Sequence, residues 1–208
     1  ILGANKPAAL AVQADARVFL AALAQELEGR RGRMNLDARR RKLAKYHDTM
    51  RAERAKLDEL LADLAVPMNP AHLAATCQQV FPEGSVLVAD GGNTAVWAMM
   101  FHQMRVPNTL LSTFKFGMLG AGVAQALGAA VARPGEPVCC IIGDGAMGFH
   151  PQEVETAVRN GLRVIFVVAC DKQWGMVKMN QQFALKPIKT LIRKSLGPDE
   201  TIKADLGE

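Results

Sequence analysis

The stretch IIGDGAMGFHPQEVETAVRNGLRVIFVVACDKQWGM, residues 141–176, reads as strand, turn, helix, strand, turn. Asp144 opens the first turn and Asp171 the second. Two carboxylates at the same end of successive strands repel each other, so the pattern points to a cation between them. Gly143 and Gly145 flank Asp144 and permit a sharp turn with close backbone approach. Backbone N–H groups in such a turn, with the helix that follows, favour a phosphate. Carboxylate and phosphate oxygens together form a hard donor set, suited to Mg²⁺ rather than zinc. On spacing alone, a turn residue at 144 and a cap at 171 explain the two aspartates equally well.

The other ionisable residues are less organised. His150 and Glu153 lie at i,i+3 spacing, a possible metal pair, but an acid at a helix start is favoured by the macrodipole in any case. His47, His72 and His102 have no convergent partners in the sequence. Trp174 and Met176 suit either a substrate path or core packing.

The elements that must hold the aspartates follow from the apolar pattern. From Asn69 onward strands and helices alternate: NPAHLAATCQQVF is a helix with Asn69 as N-cap and Pro70 in its first turn. SVLVAD (85–90) is a buried strand that runs into GGN and a helix through about Met104. TLLS is a further strand, and GMLGAGVAQALGAAVA a small-residue helix. PVCCII and RVIFVVA are continuous apolar strands, separated by the helix PQEVETAVRN with Gly161 at its C′ position. Unalternating apolar strands are expected where both sheet faces are covered, and strand–helix repetition predicts an open parallel α/β sheet with helices on both faces. Ligands of such sheets bind at the carboxyl ends of the strands, where Asp144 and Asp171 fall.

Upstream, residues 9–28 start strand-like and become helical, with Val18, Leu20, Leu23 and Leu27 at helical spacing and Asp15 as N-cap. Residues 37–65 are helical and charged, ended by the prolines of VPMNP. Between Glu28 and Glu59 stand 11 Lys and Arg against 6 Asp and Glu, an excess of five that equals the net charge of the 208-residue chain. Interleaved acids and a single aromatic, Tyr46, favour a solvated helix with i,i+4 ion pairs over a nucleic-acid surface. No apolar run approaches the roughly 18 residues of a membrane span. Cys77, Cys139, Cys140 and Cys170 form no C-x-x-C pair and suggest buried thiols in a reduced, cytoplasmic setting. ILGANKPAAL has neither a starting Met nor a signal-peptide build, as if cut from a longer chain.

GDG followed 27 residues later by an oxygen-bearing side chain resembles the motif of thiamine diphosphate-dependent enzymes. DGGNTAVWAMMFH and STFKFGMLGAGVAQALGAAVARPGEPVCCIIGDG are similar to the acetolactate synthase branch, the 2-oxo acid carboligases. The resemblance covers roughly residues 69–183. It implies thiamine diphosphate and Mg²⁺ as cofactors, with Asp144, Asp171 and the Gln173 carbonyl as metal ligands. Cofactor-binding positions carried over are Asn93, Thr94, Gly117, Met118, Leu119, Gly143, Asp144, Gly145, Ala146, Asp171 and Met176. Asn93 and Thr94 meet the diphosphate. Leu119 props the cofactor into its bent shape, its N–H and the Gly117 carbonyl meeting the aminopyrimidine. The family ends this motif in Asn-Asn, where this chain has Cys170-Asp171, which adds a negative charge beside the diphosphate. About Asn180 stands where the synthases line their channel with Trp.

The family's activating glutamate belongs to a separate pyrimidine-binding domain, and nothing here resembles it, so no catalytic residue is expected within the chain. Residues 1–30 are expected to be the tail of an upstream central domain, 31–68 a charged helical linker, and 69–208 the diphosphate- and Mg-binding domain, truncated at its C-terminus. The expected partner is a pyrimidine-binding domain of the same or a partner subunit in a homodimer or homotetramer, with no nucleic acid or membrane. Rival readings are a simple 2-oxo acid decarboxylase and a non-catalytic Mg-phosphate-binding or regulatory domain.

Overall fold

The computed structural model describes residues 6–114 and 116–184. The chain divides into two compact units, at Leu57 and Asp58.

The first unit holds helix α1 (Ala16–Gly29) and most of α2 (Leu36–Asp58), joined through a short 3₁₀ turn at Arg31–Arg33. Asp15 caps α1 as expected, its Oδ1 accepting the N–H groups of Arg17 and Val18 at 3.0 and 3.1 Å. Asn35 does the same for α2 through the Ala38 N–H at 2.9 Å. The strand-like start does not form: residues 9–14 have no regular structure, because an isolated apolar run has no neighbouring strand to pair with. Glu26–Arg30 at the end of α1 closes at the anticipated i,i+4, and on α2 the pairs Asp37–Arg40 and Glu53–Lys56 close at i,i+3. Both spacings bring side chains to one helix face.

The second unit carries a four-stranded, all-parallel sheet of order β2-β1-β3-β4. Its strands are β1 (Val86–Asp90), β2 (Leu110–Ser112), β3 (Val138–Gly143) and β4 (Val164–Ala169). The helices are α3 (Pro70–Val80), α4 (Asn93–Phe101), α5 (Ala121–Ala132), α6 (Asp144–Met147), α7 (Glu153–Arg159) and α8 (Gly175–Ala184). Asn69 caps α3 with Pro70 in its first turn, as read from the sequence. One face of the sheet buries Val86, Val88, Val138, Cys140 and Ile142 under Val123, Ala126, Ala129 and Ala130 of α5. Leu87, Ala89, Cys139 and Ile141 alternate with them and are buried as well. Alanines on α3 and α4 (Ala71, Ala74, Ala95, Ala98) are fully buried, which lets these helices lie close to their neighbours.

Three expectations are corrected. GMLG is a turn rather than helix, since Gly117 and Gly120 sit at φ +67° and +86°, and α5 begins only at Ala121. Helix α4 stops at Phe101, short of Met104, where the chain turns extended at His102 and the Gln103 N–H is taken by Gln78 of α3. Strand β4 is not covered on both faces: Ile165 is 52% and Val168 43% exposed. It is an edge strand of the four, and only Val164 and Phe166 on its α5 side pack, partly buried, against the core.

Candidate functional site

Strand order reverses between β1 and β3: the chain passes from β1 outward to β2, then returns to place β3 on the other side. Here helices on the two faces diverge and leave a crevice at the carboxyl ends of the strands. Asp90 and Ile142 are in register across this pair, so the turns after β1 and β3 start side by side. The turns nearly touch. A Cβ on Gly91 (φ +95°) would stand 3.1 Å from the Gly143 nitrogen, so glycine serves both the backbone angle and the close approach.

Asp144 begins α6 and is largely buried. Its Oδ1 accepts the Gly145 N–H at 2.8 Å. Its Oδ2 accepts the Lys172 N–H at 2.9 Å and faces the Cys170 thiol at 3.3 Å. Lys172 is held at φ +54°, a left-handed conformation uncommon outside glycine, which points its N–H back at Asp144. Asp171 accepts the Gln173 N–H at 3.1 Å through Oδ1. The position of a Cβ on Gly175 lies 2.6 Å from Asp171 Oδ2 and 3.0 Å from Asn93 Nδ2, so these two polar groups converge from the turn after β4 and from α4. Trp174 and Met176 close over the glycine turns. Added Cβ atoms would meet Trp174 Nε1 at 2.8 Å from Gly145 and Met176 Cβ at 2.6 Å from Gly92.

These groups surround a cavity of about 350 Å³, within the usual size of small-molecule sites. The cofactor- and metal-binding positions carried over from the resemblance all line it: Asn93, Thr94, Gly117, Met118, Leu119, Gly143, Asp144, Gly145, Ala146, Asp171, Gln173 and Met176. Trp174 and Asn180 line it as well. The Gln173 carbonyl accepts the Gly175 N–H at 3.0 Å, leaving its second lone pair. Lys178 donates to the Gln173 side chain at 2.9 Å and does not line the cavity, nor does Lys172. His150 and Glu153 stand apart from it, and among the described residues no three His, Cys, Asp or Glu side chains group as metal ligands.

Asp90 was not singled out from the sequence. It is 3% exposed, lines the cavity, and accepts the Gly122 N–H at 2.7 Å and the Gly91 N–H. Burial, then the Asp90 charge, pushes the neighbouring Cys140 thiol up to about 12. The signal was present: like Asp144, Asp90 follows an apolar strand directly and precedes glycine.

The donor chemistry fits a divalent cation with a phosphate-bearing ligand. Three carboxylates (Asp90, Asp144, Asp171) line the cavity, and no Lys, Arg or His does so among the described residues. A diphosphate carrying Mg²⁺ would find hard oxygen ligands here and two glycine turns that admit it closely.

Residues 90–196 match the sequence model of the thiamine pyrophosphate enzyme C-terminal TPP binding domain. The chain is 33% identical over 171 residues to 2-hydroxyacyl-CoA lyase 2 of Bos taurus, covering 82% of this chain and 26% of that protein. Acetolactate synthase large subunit IlvG of Mycobacterium tuberculosis is 32% identical over 118 residues, 57% of this chain and 22% of its own. Among solved structures, benzoylformate decarboxylase from Polynucleobacter necessarius superposes with a TM-score of 0.55 at 25% identity, over 59% of this chain and 24% of that one. The chain thus spans about a quarter of the length of these relatives. With residues 90–196 carrying the C-terminal cofactor-binding domain, the chain belongs to the thiamine pyrophosphate-dependent enzymes.

Proposed function

We propose that this chain is the thiamine diphosphate- and Mg-binding portion of a 2-oxo acid decarboxylase or carboligase resembling acetolactate synthase. The observation that carries the proposal is the meeting of Asp144, Asp171 and Asn93 with two glycine turns around one cavity whose described lining has carboxylates and no base. Asp144, Asp171 and the Gln173 carbonyl would hold Mg²⁺. Asn93, Thr94 and the backbone of Gly143–Ala146 would hold the diphosphate. The Gly117–Leu119 turn would receive the pyrimidine, with Leu119, partly buried against the core, supporting its bend. When bound, thiamine diphosphate supplies a nucleophilic carbon and an electron sink for 2-oxo acid chemistry. The chain's own residues bind and orient it, and Trp174 and Met176 close over the glycine turns that carry its charged end.

A second reading has a specific support: the 2-hydroxyacyl-CoA lyase of Bos taurus aligns over 82% of the chain. The reaction would then cleave a carbon–carbon bond of a 2-hydroxyacyl thioester. Both readings use the same cofactor site and assume a pyrimidine-binding domain from the same or a partner subunit, in a cytoplasmic homodimer or homotetramer. Among the described residues no helix is long and apolar enough to cross a membrane.

Calorimetric titration with thiamine diphosphate tests the cofactor site. Saturable binding is expected with Mg²⁺ and a loss of about tenfold or more with a chelator, as expected for a metal-bridged anion. Binding indifferent to the metal would overturn the assignment. In a protein completed by its pyrimidine-binding domain, CO₂ release from pyruvate supports the first reading, and aldehyde release from a 2-hydroxyacyl thioester the second.

A further inference from the structure

Asp90 is a buried carboxylate with no assigned part in the site. Its Oδ2 accepts the Gly122 N–H, in the first turn of α5, at 2.7 Å, and its Oδ1 accepts the N–H of Gly91. The approach is close: a Cβ on Gly122 would lie 2.5 Å from Asp90 Cβ and 2.9 Å from its Oδ2. The carboxylate therefore ties the start of the Gly91–Thr94 segment to the helix that follows Gly117–Gly120. These are two opposite borders of one cavity, drawn from parts of the chain about 30 residues apart, since Asp90 and Gly122 are separated by 32 positions.

We infer that Asp90 is a positioning residue that sets the span between the diphosphate-facing segment Gly91–Thr94 and the pyrimidine-facing turn Gly117–Leu119. The inference rests on the cofactor assignment above. A carboxylate suits the task because both groups it must hold are N–H donors, and it accepts from both at once. Its charge is also favoured at the N-terminus of the 12-residue α5. An amide of the same shape presents one oxygen and one NH₂, so in Asp90→Asn one of the two N–H groups faces a donor and its tie is lost.

A clamp that sets a span matters to a ligand that reaches both ends, and not to one that occupies a single end. Titrations with Mg·thiamine diphosphate and with Mg·diphosphate, on wild type and Asp90→Asn, therefore separate positioning from general support. Asp90→Asn is expected to weaken Mg·thiamine diphosphate by about tenfold, the worth of one charge-assisted hydrogen bond, while Mg·diphosphate stays within about twofold. Gly122→Ala, which pushes α5 from Asp90 by the opposite route, is expected to give the same selective loss and keeps the test decisive if Asp90→Asn does not fold. Equal losses for both ligands, or no loss, overturn the inference. Hydrogen exchange on the ligand-free chain checks the clamp independently: the amides of residues 117–122 should exchange faster in Asp90→Asn, and unchanged exchange also overturns it. A wild-type chain that binds thiamine diphosphate no better than diphosphate overturns the cofactor reading, leaving the exchange result to decide the clamp.

Discussion

The Asp144 carboxylate accepts the backbone N–H of Lys172 at 2.9 Å, joining the turn after β3 to the turn after β4 one residue past Asp171. One side chain thus spaces the two proposed metal-ligand segments before any ion arrives. Asp144→Ala is expected to cost about 1–3 kcal/mol of stability from the lost ties, and about tenfold or more in Mg-dependent binding of thiamine diphosphate. Denaturant unfolding and calorimetry measure the two effects separately. Full binding with the stability lost would make Asp144 a turn residue only.

Asp171 differs because its charge is the departure from the family pattern. Asp171→Ala removes a proposed inner-sphere ligand and should weaken cofactor binding by an order of magnitude or more. Asp171→Asn keeps an oxygen ligand and removes a charge from beside the diphosphate, so binding should be retained or tightened. Asn binding as poorly as Ala would mean the carboxylate itself is required.

His102 supplies a pH dependence away from the site. Its Nδ1 is buried without a partner, and burial lowers its pKa from the usual value of 6.5. The unfolded chain therefore takes up a proton in a range where the folded chain does not. The favourable contribution is present above about 6.5 and is lost as pH falls through the lowered folded value. His102→Leu should flatten the slope of stability against pH below about 6.5, read from urea midpoints. An unchanged slope would assign the pH dependence to other groups.

The 208-residue chain by itself is expected not to decarboxylate 2-oxo acids. The described cavity residues include no glutamate, while general acid–base assistance is typically worth about 10² to 10⁴ in rate. Incubation with thiamine diphosphate, Mg²⁺ and pyruvate, followed by CO₂ release and exchange of the cofactor's C2 proton, checks this. Accelerated exchange would place an activating group within these residues.

Local chemistry was readable from the sequence and long-range complementarity was not. Asp15 and the Asn69–Pro70 start declare themselves because a cap bonds to backbone two or three residues away. The parallel strands show in unbroken apolar runs such as VCCIIG. The same rule misjudged β4, since burial of Ile165 and Val168 depends on what covers an edge, not on their own character. GMLG looked helical by composition, whereas the left-handed angles of Gly117 and Gly120 make it a turn. Asp144 was found through a motif. Asp90, also buried and at the end of its own strand, has its defining partner at Gly122, and no local spacing announces that pairing.

The sign of the cavity has a kinetic consequence. Although the chain carries a net charge of +5, that excess stands between Glu28 and Glu59, and the described lining of the cavity has only acids. An anion that approaches the metal-free cavity meets like charge on its described lining, and added salt should weaken that repulsion. A divalent ion reverses the preference. A ligand bearing a diphosphate should therefore associate faster when a divalent ion accompanies it than when it comes alone.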